Sequence, residues 1–467
     1  MLIIKAPKTY ENERHYIFGV IFEHFLGLEY SVQFEENRSD IEITKVSDSV
    51  KKLCIKDVLF SFTGEYWLKK SSLPTTPLVS CDLSHLEESI PLVKPAVPVI
   101  YGASSNDKYL ECTPDQVLLG IDVFGSAFYM LTCYEEYVNQ IGDTHGRYPT
   151  QESLSVREGF FSRPIVNEYL EILWFCLSQL WPDLKRKERL FSMTPSHDVD
   201  VPFANAFLGP KKLLRSVAGD FILRKSPHMA GKRLASYFAV KQGNYKKDVN
   251  YTFDSIMDTS EKNNTKSIFF FKAGCTNKKY DNDYLIEHTY LKKLLTEIHA
   301  RGHEIGLHTS YMAYDQMATI KEEFDKLVRV CESCGIKQDK WGVRQHYLRF
   351  KNPVTWRCYD QAGLVYDSTV SFSCGGLGFK SGTCYDYPVF DLENEQELKL
   401  YEHPLVIMES ALIKSYMTKD SLAQALSTMI TYKDVCRKYH GDFTLLWHNN
   451  RFLNKHYWNC YNKIMAY

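Results

Sequence analysis

The sequence has no hydrophobic run approaching the ~18 residues needed to span a bilayer, so no transmembrane segment is expected. It has no surplus of one charge either. Lys+Arg 56 against Asp+Glu 57 leaves a formal net charge of -1, which excludes a global attraction to nucleic acid or to an acidic polymer. Disorder is excluded by composition, since 44% of residues are hydrophobic and 14% aromatic. The aromatic surplus, Tyr 31 and Phe 27, is read first as core filling and only second as a sugar-handling surface. Met1-Leu2-Ile3-Ile4-Lys5-Ala6-Pro7 lacks the basic lead and apolar stretch of an export leader. The 13 cysteines are odd in number and scattered, a pattern of reduced thiols, so a cytoplasmic location is expected. Cys331-Glu332-Ser333-Cys334 has no companion pair, which leaves it weak as a zinc or redox motif.

A chain of 467 residues fits two domains. Residues 1–185 read as a smaller α/β domain of unknown role, with strands predicted over 1–5, 41–45 and 98–101 and helices over 114–139 and 167–181. Pro182 and Lys185-Arg186-Lys187 mark the linker. From residue 190 the pattern becomes strand, helix, strand, helix. Strands are predicted over 191–194, 267–271, 304–308, 341–344, 364–366, 405–408 and 443–447, and helices over 284–300, 315–334 and 421–439. Such alternation implies parallel strands with right-handed crossovers, so residues 186–467 are expected to form a (β/α) barrel.

In such folds chemistry collects at the C-terminal strand ends. Polar residues fall there in succession: Asp198 and Asp200, His308, Arg344 and His346, Asp367, and His448. Strand alternation puts Asp198 and Asp200 on one side and His197 and Val199 on the other. Two carboxylates in one small space resist joint ionisation unless a cation or proton lies between them. Between the first two strands, residues 201–247 are basic (Lys211, Lys212, Arg215, Arg224, Lys225, Lys232, Arg233, Lys241, Lys246, Lys247) with apolar residues at helical spacing. This insertion is read as a lid or a surface for anionic lipid headgroups or a diphosphate-linked glycan, or else as packed helices with lysines in water. The glycine-rich stretch Ser373-Cys374-Gly375-Gly376-Leu377-Gly378-Phe379 and the following Gly382-Thr383-Cys384-Tyr385-Asp386-Tyr387-Pro388 are expected to line the mouth of the site. Glu409 is expected to hydrogen-bond a sugar hydroxyl or to cap the next helix.

Over about residues 190–450 these strand ends resemble the polysaccharide deacetylase family, also called carbohydrate esterase family four, in an uncharacterised bacterial subgroup with an extra N-terminal domain. The resemblance implies an irregular deacetylase-like (β/α) barrel and hydrolysis of an N- or O-acetyl group. The substrate class it implies is an amino sugar, an oligosaccharide or a lipid-linked glycan. Asp198 matches the family's general base and Asp200 a metal ligand. Gly302-His303-Glu304-Ile305-Gly306-Leu307-His308-Thr309-Ser310-Tyr311-Met312 matches the strand leading into H-T-x-x-H, with His308 as the first ligand and Met312, a soft thioether, in place of the second histidine. Arg344-Gln345-His346-Tyr347 matches R-x-P-Y, which implies that Arg344 orients the base and that the Tyr347 backbone N–H donates to the oxyanion. Tyr366-Asp367-Ser368 loosely matches the fourth motif, and Leu445-Leu446-Trp447-His448 the last, with His448 as the acid for the leaving group. The implied cofactor is a divalent metal, zinc first with cobalt or nickel as alternatives.

Asp200 and His308 give two protein ligands where a catalytic zinc site has three plus water. His346 is one candidate for the third. A metal-independent hydrolase of another C–N amide bond is a second solution, and a silent glycan-binding or assembly protein a third. His303 is a poor ligand candidate, being off the Glu304-Gly306-His308 face. The sugar, the acyl group and the oligomeric state are not readable from sequence.

Overall fold

In a computed structural model, the structure describes residues 1–105, 107–207, 209–222, 227–281, 284–373, 376–413, 417–452 and 455–466. Arg224 and Lys225 of the basic insertion, and Cys374 and Gly375 of the glycine-rich stretch, lie outside the described residues. Two compact units divide the chain discontinuously. The first combines Met1–Ser192, Leu348–Ile407 and Thr431–Thr444, and the second combines Met193–Tyr347, Met408–Ile430 and Leu445–Tyr467.

The first unit holds β1 (Leu2–Pro7), β2 (Tyr30–Glu35), β3 (Ile41–Lys45), β4 (Asp48–Ile55), the short pair β5 (Ser80–Asp82) and β6 (Ala96–Pro98), then β7 (Leu110–Cys112) and β8 (Gln116–Leu119). Six of these form a mixed sheet in the order β2-β1-β3-β4-β8-β7. The helix Ile165–Leu180 packs over β4 and β8. The continuous helix expected over 114–139 is not formed. Residues 116–119 alternate, with Val117 and Leu119 buried, and pair in parallel with β4, so a period of two wins over helical spacing. Asp122 then caps the helix Val123–Leu131 through the Gly125 N–H at 2.8 Å, and Cys133, with φ 50°, separates it from Tyr134–Asn139. The strand expected over 98–101 also ends early, at Pro98.

The second unit is built on β9 (Ser192–Val199), β10 (Ile268–Lys272), β11 (Glu304–Thr309) and β12 (Gly342–Gln345). These four are parallel neighbours, with Phe270 opposite Asp198 and opposite Gly306, Lys272 opposite His308, and His308 opposite Arg344. Helices Phe253–Lys262, Thr289–Ala300 and Met317–Ser333 supply the crossovers. The chain returns to the first unit for β13 (Tyr366–Asp367) and an antiparallel hairpin of β14 (Tyr387–Asp391) and β15 (Gln396–Glu402), which was not expected. β16 (Ile407–Met408) and β17 (Asp442–Leu446) straddle the unit boundary. β12, β11, β10, β9, β17 and β16 are successive neighbours in a sheet that is open among the described residues, so these strands form part of a barrel and not a closed ring.

Close packing sets the floor of this sheet. Gly306 has no side chain because a Cβ there would lie 2.4 Å from Phe270 Cδ1. The Phe270 ring occupies that space, and the Arg344 guanidinium lies over it at 4.5 Å. The apolar residues of these strands, Val199, Phe269, Phe270, Phe271, Ile305, Leu307 and Val343, are fully buried, as parallel strands covered on both faces must be. Every described cysteine is a free thiol. Among the described residues no helix is long and apolar enough to cross a membrane.

Candidate active site

Register and alternation carry one row of polar side chains to the same end of the second unit. Lys272, His308 and Arg344 are directly opposite one another on β10, β11 and β12, and Asp198 and Asp200 end β9 beside them. Arg344 is fully buried and donates from Nη1 to Asp198 Oδ1 at 3.0 Å and to Ser196 Oγ at 2.9 Å. Burial pushes the Asp198 carboxyl up, but the Arg344 guanidinium, helped by His308 and His448, brings it below the ordinary value. Asp198 therefore stays ionised although only 3% exposed.

Asp200, His308 and His346 form a second focus, with one ligand atom from each lying within 4.8 Å of the others. His308 Nε2 is 3.5 Å from Asp200 Oδ1 and 3.9 Å from Asp198 Oδ2, and His346 Nε2 is 3.2 Å from Asp200 Oδ1. The other ring nitrogens are already used. His308 Nδ1 meets the Arg344 carbonyl at 2.8 Å, and His346 Nδ1 meets Asp281 Oδ1 at 2.8 Å. With each Nδ1 engaged in this way, the Nε2 atoms are the ones that face the cluster. His308 Nε2 is buried and makes no hydrogen bond of ordinary geometry. Against burial, the nearby His308 and His346 rings hold Asp200 well below the carboxylate range, while Asp200 and Asp281 raise His346. The cluster thus favours positive charge, and a carboxylate with two second-row-supported imidazoles is a donor set that fits zinc, cobalt or nickel.

His448 stands on the other side of Asp200, its Nε2 3.8 Å from Oδ2. Its Nδ1 meets Glu409 Oε1 at 2.8 Å and Oε2 at 3.1 Å. Burial pushes the imidazole down, but Glu409, then Asp200 and Asp198, outweigh it and raise it to about 9. Glu409 is 1% exposed and engages this histidine, and the helix that it begins has no side-chain cap. Tyr347 follows His346 with φ 62° and ψ 12°, a left-handed conformation that costs a non-glycine residue about 1–3 kcal/mol. Its ring, 37% exposed, packs edge-on to Tyr280 and Tyr311.

The remaining expected residues lie elsewhere. Asp367 belongs to the first unit, where it accepts from Thr369 Oγ1, and burial, then Asp367, pushes the neighbouring Glu402 carboxyl well above the ordinary value. Phe379 donates to the Phe161 carbonyl and the Gly382 carbonyl accepts from Val166, so the described part of the loop expected at the site mouth packs within the first unit. The Met312 N–H donates to Thr276 Oγ1. His303 accepts from the Ser267 N–H at 3.0 Å, away from the cluster.

Two residues at the site escaped sequence reasoning. Lys272, 1% exposed, has Nζ 3.6 Å from Asp200 Oδ1 with no hydrogen bond of its own. Its signal was a lysine closing the apolar run Ile268-Phe269-Phe270-Phe271 at the same end as the other polar residues. Asp281 sits in a loop, where it also accepts from the Tyr311, Thr276 and Asn277 N–H groups. Loops carry no periodicity, and nothing in the sequence marks it.

A family model of unknown function, DUF7033, matches residues 2–182, less than half of the chain. No curated protein matches the sequence. Among solved structures, a candidate polysaccharide deacetylase from Mycobacterium smegmatis is 14% identical with a TM-score of 0.38, over 61% of this chain and 85% of that one. The polysaccharide deacetylase from Bacillus cereus is 12% identical with a TM-score of 0.28, over 60% and 86%. The PuuE allantoinase is 12% identical with a TM-score of 0.34, over 60% and 83%. Superpositions this loose leave the chemistry to be drawn from this chain's own residues.

Proposed function

We propose that the second unit hydrolyses an amide, with the N-acetyl group of an amino sugar or glycan precursor as the substrate class. The observation that carries this reading is an ionised carboxylate and a proton-bearing imidazole on either side of one three-donor cluster. Asp198, held ionised by Arg344, accepts a proton from the attacking water. His448, held protonated by Glu409, delivers a proton from Nε2 to the departing amine. The Tyr347 backbone N–H, in the left-handed turn after His346, would donate to the developing oxyanion. Asp200, His308 and His346 would hold a divalent ion, zinc first, which when bound polarises the carbonyl and acidifies the water, worth several kcal/mol.

The test is acetate release from N-acetylated amino sugars and their oligomers by the full chain with zinc, cobalt or nickel added. Release that falls by a factor of about 100 or more in Asp198→Asn and in His448→Ala supports the reading. Failure to release acetate from any of them, with metal bound, contradicts it. Lys272 favours one second reading, since a buried cation 3.6 Å from Asp200 already supplies positive charge there. On that reading the chain is a metal-independent hydrolase of another C–N amide bond, and its activity survives a strong chelator.

A further inference from the structure

The basic insertion presents an inverted surface. In the helix Pro210–Ile222 the inward positions are Leu213, Val217 and Asp220, and Asp220 is buried and paired with Arg233 of the helix Pro227–Lys241 at 2.7 Å. The outward positions Leu214, Ala218, Phe221 and Ile222, spaced i, i+4, i+7 and i+8, form an apolar stripe exposed to solvent. Leu214 is 69% exposed, Phe221 52% and Ile222 72%, and Phe238 on the second helix is 60% exposed. Surface helices normally point such residues inward. Lys211, Lys212, Arg215 and Lys232 are exposed alongside them. Residues 201–247 contain ten Lys and Arg but a single acid, Asp220, which is paired internally, in a chain of net charge -1. The hairpin is also well built: Asn205 Nδ2 donates to Ser236 Oγ at 2.7 Å, and Asp248 accepts from the Ala204 and Asn205 N–H groups at 2.7 Å.

We propose that this hairpin docks the protein on an anionic lipid bilayer. Its apolar stripe enters the boundary between headgroups and acyl chains, and the exposed Lys211, Lys212, Arg215 and Lys232 lie against the phosphates. Charge selects this occupant. A second copy would set one cationic stripe against another, which is disfavoured, whereas anionic headgroups offer both opposite charge and an apolar layer beneath it. Docking does not depend on the hydrolytic reading. It does bear on the site, because the insertion leaves directly after Asp200 and its root is tied back to the residue after His448. Asn449 Nδ2 donates to the Val201 carbonyl at 3.0 Å, and Thr252 Oγ1 donates to the Asn449 carbonyl at 2.9 Å. A docked hairpin therefore holds the strand ends of the second unit close to the bilayer surface.

The test is co-sedimentation of the full chain with vesicles of phosphatidylcholine alone and of an equal mixture of phosphatidylcholine and phosphatidylglycerol. Partitioning is expected to be about tenfold or more stronger on the anionic vesicles and to weaken in high salt. Phe221→Ser with Ile222→Ser, Phe238→Ser, and Lys211→Glu with Lys212→Glu should each weaken it by about tenfold or more. All these side chains are exposed, so melting temperature and circular dichroism should stay at wild-type values. Binding to neither vesicle, or equal binding by the variants, overturns the proposal. So does a concentration-dependent dimer that dissociates in Phe221→Ser without any vesicle binding.

Discussion

Replacing Glu409 by Gln keeps an acceptor beside His448 Nδ1 and removes only the negative charge 2.8 Å away. A proton held to about 9 where a free imidazole releases it near 6.5 represents roughly 3 kcal/mol of preference for the charged ring. Without the carboxylate, burial dominates and the imidazole falls to the ordinary value or below. Because the protonated ring is the active form, hydrolysis should fall as pH rises through this pKa. The alkaline limb should move from near pH 9 to pH 6.5 or lower. At about pH 8 the variant should retain roughly one-thirtieth of the wild-type rate, with little loss at about pH 5.5. The same raised pKa stabilises the fold below about 6.5, and that stability is lost as pH rises through about 9; the variant should lack this dependence in urea unfolding. The pH profile of kcat/KM and the imidazole resonances of His448 report the shift. An unchanged alkaline limb, or an equal loss at every pH, would refute the acid role and its cause.

Three further perturbations separate the parts of the site. Arg344→Met leaves Asp198 buried without its guanidinium and should destabilise the fold by about 3–5 kcal/mol at neutral pH in urea unfolding, with part of the loss recovered as pH falls and the carboxyl, now raised by burial, takes up a proton. Lys272→Met removes a cation that competes for Asp200 and should tighten zinc binding by roughly tenfold in competition with a chromophoric chelator; weaker binding would show that the lysine supports the site. Asp281→Asn removes the carboxylate that orients His346 and should weaken zinc binding by about 10- to 100-fold, with a fall in melting temperature as well, because its amide NH2 would face the backbone N–H groups that the carboxylate now accepts from.

The parts legible in the sequence were those governed by period. Parallel strands buried on both faces read as apolar runs, and polar residues at their ends stand out, which is how Asp198, Asp200, His308, Arg344, His346 and His448 were named. Period also misled, because Val117 and Leu119 fit a helix and a strand equally until β4 is there to pair with. The discontinuity of the units was beyond reach, since β13 to β15 join the first unit through contacts made far along the chain. Glu409 was noticed, but its contact with His448 was not, because the two are 39 residues apart and only the fold brings them together.

The most direct test of the metal-assisted reading is anomalous diffraction from a crystal of the full chain soaked in zinc. The account predicts one ion per chain, bound by Asp200 Oδ1, His308 Nε2 and His346 Nε2 at about 2.0–2.2 Å, and absent from an Asp200→Ala crystal. No ion at these three atoms, or an ion that persists in Asp200→Ala, would contradict it.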